Sequence, residues 1–495
     1  MKFALVRLVG GMVAGGLVFL SYQPVGWWWA AIVGVALLFV VLAPWPRGRG
    51  PSLRLGAGIA VAHSLVLFLL LLPWIGSFVG TMPYVALAIW LSLYSVLLGV
   101  FGVAVARLRF GPLVFPLVFM AVEWLRSTVP FGGFAWVRLG WGQVGGPLQD
   151  VASVGGPALV SGVVVAVGCC VGAVALRRPV LPVAGLLGVV VLLAVGASVS
   201  LGSADVGSVR VAAIQGNVPR LGLEFNAQRR AVLANHVAET KKLAGSEPVD
   251  MVVWPENSAD VSPFYDAQAA DMVSEAVAAA GAPVLVGTIT RDEVGLRNTM
   301  SVFNPGSGAG DFHYKRYLQP FGEYMPLRSF FRLFSEKVDW AGDFKPGVTS
   351  DPVRMGDVLV GVATCYEVAF DNAGREAVRR GAQILTTPTN NATFGFSDMT
   401  YQQLAMSRML AIQTDRAVVV AATSGVSAMV HPDGSVSQET GIFTAATLRE
   451  SLPLRESQTV AVRFGFVIEY VLVLAGWLMG AGAVIRARRS GDGFP

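Results

Sequence analysis

Eight apolar runs, each long enough to cross a bilayer, constrain this chain more than anything else in it. They fall at about 4–20, 27–43, 56–76, 83–105, 111–125, 157–176, 180–200 and 464–485. A spanning helix needs roughly 17–25 apolar residues, because lipid offers the backbone no hydrogen-bond partner. Composition agrees: 14% of the 495 residues are charged, against about 25% in an ordinary soluble protein. The arginines cluster between runs: Arg47, Arg49 and Arg54, then Arg107 and Arg109, Arg177 and Arg178, and Arg486, Arg488 and Arg489, with Lys2 and Arg7 at the start. The linkers 21–26 and 77–82 carry no charge. Cationic loops stay on the cytoplasmic side. The pattern therefore predicts both termini inside and the long segment 203–462 on the far face. A pI near 9.2 then reflects membrane topology and not nucleic-acid binding. The first run is expected to be retained, since Ser21-Tyr-Gln-Pro-Val-Gly-Trp27 leads straight into the second without a small-residue cleavage site.

Three segments follow: a seven-span membrane domain at 1–202, an outer domain at 203–462, and an eighth span with a short basic tail at 463–495. From about 207 the texture changes. Strand-like runs at 209–215, 251–254, 283–290, 299–304, 357–364, 383–388, 417–423 and 426–431 alternate with helical stretches around 226–244 and 267–280. Strands alternating with helices predict an α/β domain. The residues show no internal repeat.

Three motifs in that domain carry chemistry. Trp254-Pro255-Glu256-Asn257-Ser258 follows an apolar strand, and a carboxylate at the end of a buried strand suits a general base. Tyr314-Lys315-Arg316-Tyr317 offers a fixed positive charge. Gly361-Val-Ala-Thr-Cys365-Tyr366-Glu367 places a cysteine where a strand turns into a helical stretch. Backbone N–H groups and the helix dipole are expected to favour its thiolate. The other two cysteines, Cys169 and Cys170, are adjacent in an apolar run, so no disulfide framework is expected. A thiolate attacking an acyl carbon needs a base and donors for the oxyanion. Glu256, Lys315 and Cys365 supply those parts, each at the end of a strand-like run.

This ordered Glu-Lys-Cys set resembles the carbon–nitrogen hydrolase, or nitrilase, superfamily, whose fold is an αββα sandwich. With eight spans around it, the whole chain resembles the membrane-embedded branch, the apolipoprotein N-acyltransferases. Gln215-Gly-Asn217-Val-Pro219, Pro320-Phe-Gly-Glu323-Tyr-Met-Pro326, Cys365-Tyr-Glu367, Asn390-Asn391-Ala-Thr-Phe394-Gly395, Gln402 through Arg408 and Ser424-Gly425 carry the match. It departs at Thr393 and Phe225, where relatives often carry Trp. The resemblance implies that an acyl chain passes from a membrane phospholipid to Cys365. From there it passes to the N-terminal amine of the diacylglyceryl-modified cysteine of an apolipoprotein, with no metal or other cofactor. Glu256 would be the base. Lys315 and backbone N–H groups, including that of Tyr366, would hold the oxyanion. Glu323 and Glu367 would support lysine and base, and Tyr366 and Asn298 would line the pocket. The resemblance also implies the bacterial cell membrane and, as a further partner, a polyprenyl-phosphate mannose synthase. A membrane-anchored amidase with water as acceptor, and a scaffold, are the alternatives.

Two apolar stretches remain open to two readings. Glu123-Trp-Leu-Arg126 and Phe131-Gly-Gly-Phe-Ala-Trp136 form either an interfacial aromatic belt or a lipid-facing wall in which Glu123 and Arg126 hold a head group. Phe330, Phe331 and Phe334, and Phe394 with its neighbours, either dip into the membrane interface or pack on the core.

Overall fold

A computed structural model describes residues 2–46, 50–177, 205–218, 230–333, 338–339 and 341–489, with seven further positions between 185 and 195. Arg47, Arg49, Arg178, Phe225, Phe334 and most of the run at 180–200 lie outside the described residues. Two compact units divide the chain, 1–201 with 464–495, and 202–463.

In the first unit, five helices are long and apolar enough to cross a membrane: Lys2–Phe19, Leu53–Leu71, Thr81–Ala106, Gln149–Ala175 and Val460–Arg489. The described residues thus do not give the expected eight. The second run forms the apolar helix Trp28–Leu42, whose 15 residues reach about 22 Å, less than a bilayer's core. The fifth forms Gly111–Thr128, in which Glu123 and Arg126 interrupt the apolar sequence. Small residues let these helices approach closely. A Cβ on Gly99 would lie 2.2 Å from the Gly56 carbonyl oxygen.

The second unit holds two six-stranded sheets. The first contains β1 (Asp205–Gln215), β2 (Met251–Val253), β3 (Val284–Arg291), β4 (Leu296–Asn304), β5 (Gly308–Tyr314) and β12 (Ala446–Arg455), in the order β12-β1-β2-β3-β4-β5. The second contains β6 (Val353–Met355), β7 (Val358–Val362), β8 (Ile384–Thr389), β9 (Val418–Ala422), β10 (Ala428–Val430) and β11 (Val436–Glu439), in the order β11-β10-β9-β8-β7-β6. Alternate side chains from both sheets, among them Val211, Val253, Val360, Val362 and Val419, meet in one apolar core. Helices Ala231–Lys241 and Ala267–Ala280 cover the first sheet. Asp371–Arg379 and Met399–Thr414 pack on the second. The layers are αββα, as the resemblance implied.

Read from β12 and from β6, both sheets pair in the same succession: antiparallel, parallel, parallel, antiparallel, antiparallel. This doubling leaves no trace in the residues. Sequence reading also missed β5, β6, β11 and β12. The first carries Gly308, Gly310 and Asp311, poor strand formers. The last carries Pro453, tolerated because β12 is an edge strand with β1 as its neighbour.

Candidate active site

Glu256 follows β2, Lys315 follows β5, Cys365 follows β7 and Asn390 follows β8. The carboxyl ends of parallel strands are where α/β sheets place their ligands. Here the ends from the two sheets meet, since the Asn390 N–H donates to Glu256 Oε2 at 3.1 Å. The turn after β2 lies tight on the neighbouring strand. A Cβ on Gly287 would sit 2.3 Å from the Pro255 carbonyl and 2.8 Å from Glu256 Cα. Asn257 completes that turn at φ 54°.

Lys315 Nζ lies 2.8 Å from Glu256 Oε1 and 2.9 Å from Glu323 Oε2. Asn298 Nδ2 donates to Glu256 Oε1 at 2.7 Å and to Glu323 Oε1 at 2.8 Å. Asn298 therefore clamps both carboxylates directly, a closer role than the pocket wall expected for it. The Asn298 backbone carbonyl also accepts from the Lys315 backbone N–H at 2.9 Å. The Gln319 N–H donates to Glu323 Oε2 at 2.8 Å. Burial works against the Lys315 ammonium, but Glu256, Glu323 and Cys365 hold its pKa well above the usual lysine value. Burial raises Glu323; Lys315 opposes that and Glu256 reinforces it.

Cys365 takes φ 51°, a left-handed turn that costs a non-glycine residue roughly 1–3 kcal/mol. It opens the short 3-10 turn Cys365–Ala369, and the α-helix begins only at Asp371. That placement, with the side chain buried, corrects the expectation of a dipole-favoured thiolate. Burial and the nearby Glu256 push the thiol up to about 12, against the pull of Lys315. A thiol disfavoured as thiolate in this way needs a base before it can attack.

Glu367 binds the backbone on either side of the cysteine turn and the lysine loop. Its fully buried carboxylate accepts from the Thr364 N–H at 2.8 Å, the Arg316 N–H at 2.7 Å, the Tyr317 N–H at 3.2 Å and His313 Nε2 at 3.1 Å. One carboxylate thus staples the cysteine turn to the lysine loop. Burial would raise its pKa, but His313 and the backbone donors bring it below the usual carboxylate range. Tyr366 is buried edge-on to Phe370 at 5.2 Å, and Phe370 stacks on Tyr317 at 4.5 Å.

Sequence reading assigned no role to His313, Thr389, the Asn390 N–H or Gln403. Only the tertiary fold brings them in; the family-like stretches at 390–395 and 402–408 were the available signal.

The remaining candidates lie elsewhere. Phe330 is 52% exposed and meets Phe331 edge-to-face at 5.2 Å. Phe331 in turn meets the exposed Phe321 at 5.1 Å. Phe394 is buried. In the membrane unit, Glu123 Oε1 accepts the Leu139 N–H at 2.8 Å, and Arg126 Nη2 donates to the Val137 carbonyl at 3.1 Å. Both side chains are buried and border a small cavity with Tyr22, His63, Ser64 and Ser95. Trp136 is buried 5.2 Å from Trp74. Glu123 and Arg126 thus bind the chain's own backbone.

Residues 210–461 match the family described as "Carbon-nitrogen hydrolase", which defines the class of the second unit. Residues 14–170 match "Apolipoprotein N-acyltransferase N-terminal domain". An apolipoprotein N-acyltransferase of Mycolicibacterium smegmatis is 42% identical over 94% of this chain and 83% of its own. One of Ralstonia nicotianae is 30% identical over 95% of this chain and 92% of its own. The chain belongs to the apolipoprotein N-acyltransferase family.

Proposed function

We propose that this chain moves a fatty acyl group from a membrane phospholipid, through a thioester on Cys365, to the N-terminal amine of the diacylglyceryl-cysteine of an apolipoprotein. The observation that carries this reading is the convergence of Glu256, Lys315 and a buried Cys365 at the strand ends, in a chain that also holds long apolar helices. Glu256 takes the thiol proton and the sulfur bonds to the acyl carbon. The ester C–O bond breaks, and the proton passes to the departing lysophospholipid. The acceptor amine then bonds to that carbon, the C–S bond breaks, and the amine proton goes to Glu256. Lys315 offsets the oxyanion's charge in both steps, helped by backbone N–H groups at the turn, including that of Tyr366. The exposed Phe321 and Phe330, with the half-buried Phe331 between them, form an apolar arm that engages lipid.

The cationic loops support a topology with the termini in the cytoplasm and the 203–462 domain outside the bacterial cell membrane; reporter fusions at the C-terminus and within that domain test the assignment. A polyprenyl-phosphate mannose synthase as partner rests on the family resemblance alone and is tested by co-purification. The central experiment is intact mass of the purified protein with a defined phospholipid, beside Cys365→Ala. A hydroxylamine-sensitive gain of one acyl chain, absent in the variant, supports the reading. Free fatty acid released without any acceptor would point instead to hydrolysis.

A further inference from the structure

Gln403 lies in the first turns of helix Met399–Thr414 and is buried. Its Nε2 donates to Cys365 Sγ at 3.6 Å. At the other end of the amide, Gln403 Oε1 lies 2.8 Å from the Thr389 hydroxyl. That hydroxyl also lies 2.7 Å from Asn391 Oδ1, and Asn391 Nδ2 donates to the Thr400 hydroxyl at 3.0 Å. The amide nitrogen thus presents an N–H to the sulfur.

Among the described residues, the charged groups that act on the thiol are Glu256 and Glu323, which disfavour a thiolate, and Lys315, which favours it, while the neutral Thr389 adds a polar contact. The Lys315 charge is already matched by two carboxylates at 2.8 and 2.9 Å. We infer that Gln403 is a catalytic residue, the neutral N–H donor that stabilises negative charge on Cys365 sulfur. This rests on Cys365 being the nucleophile. Sulfur is anionic twice in that cycle: when it attacks the ester carbon, and when the C–S bond breaks during transfer to the amine. One neutral donor serves both steps without adding a further cation to the site.

The test is alkylation of Cys365 by iodoacetamide between pH 7 and 9, followed on its own peptide by mass spectrometry so that Cys169 and Cys170 do not interfere. Gln403→Met keeps the length and removes the donor. Gln403→Glu keeps the oxygen that Thr389 needs and replaces only the nitrogen facing sulfur. It guards against a Met variant that fails to fold. Both variants are expected to alkylate about tenfold or more slowly at a given pH. Single-turnover acylation and transfer should fall together, and Gln403→His, which restores an N–H donor, should recover most of the rate. Wild-type alkylation rates in the Met or the Glu variant would overturn the proposal. Failure of the underlying reading looks different: wild-type protein would then form no acyl adduct on Cys365, whatever stands at 403.

Discussion

Each unit of this protein buries an acid beside a base, and the two clusters are wired differently. In the membrane unit, Glu123 lies 3.7 Å from Arg126, and each spends its best hydrogen bond on the backbone between 137 and 139. In the αββα unit, Lys315 meets two carboxylates, and Asn298 ties those carboxylates together. A charge tied to the local backbone fixes a loop. A charge tied to other ionisable side chains, with a thiol in the same group, can change its protonation during a reaction. Burial alone does not separate scaffold from chemistry; the identity of the partners does.

The comparison is tested most severely at the thiol and the lysine. Cys365→Ala should lower acyl transfer by at least about 10⁴-fold with little change in thermal stability, because Ala fills the site without a new buried charge. Lys315→Met should be as inactive and also less stable, by roughly 3–5 kcal/mol before Glu256 or Glu323 takes up a proton. Single-turnover rates and thermal melts of both variants in detergent measure this. A Lys315→Met protein that turns over normally would place the αββα cluster with the scaffolds.

Glu367 is the intermediate case, a carboxylate that binds backbone but between two catalytic turns. Glu367→Gln keeps the shape and removes the charge opposite His313. Turnover should fall about 10²-fold through misplacement of Cys365 relative to Lys315. The pH dependence has a definite sign. The folded pKa is depressed, so the stabilisation is complete above the unfolded carboxylate value of about 4.3 and is lost as pH falls through the folded value. Wild-type melting temperature should therefore drop on acidification below about pH 4, and the Gln variant should drop less. Equal acid sensitivity would remove Glu367 as the staple.

The exposed aromatics sharpen the comparison from outside the charge clusters. Phe330 is half-exposed and Phe331 packs against it and Phe321. Phe330→Ser with Phe331→Ser should raise the KM for phospholipid about tenfold, as expected from the lost apolar contact, with kcat and melting temperature unchanged. A stability loss with an unchanged KM would assign these rings to core packing.

How much of this was legible in the sequence follows from the same physics. Glu256 and Cys365 each end an apolar strand-like run, so local pattern exposed them, whereas Lys315 follows the polar, glycine-rich β5 and stood out through its motif and the resemblance. The partners that complete the site are contributed by distant segments. Glu367 reaches His313 across 54 residues and Asn390 reaches Glu256 across 134, and no periodicity encodes such a meeting. The αββα layers were expected, but the paired succession of strands in the two sheets was not, because hydrogen-bond direction between strands leaves no residue signature. Among the described residues not all eight expected spans are recovered: the second run forms a helix of 15 residues, Trp28–Leu42. At Gly111–Thr128 the apolar run holds the Glu123 and Arg126 pair near its end.

That pair gives the smallest expected effect on turnover and the cleanest test of the contrast. Glu123→Gln leaves an amide oxygen for the Leu139 N–H and removes the carboxylate beside Arg126. A scaffold should lose about 1–3 kcal/mol of stability, the usual cost of weakening a buried charged hydrogen bond. The folded fraction should then turn over within about twofold of wild type, since no group on the reacting atoms has changed. A head-group clamp behaves in the opposite way. It keeps its stability and raises the KM for phospholipid, because the substrate itself was the partner of the charge. Measuring melting temperature and KM on the same preparation separates the two, and a raised KM at unchanged stability would make the membrane cluster part of the substrate site.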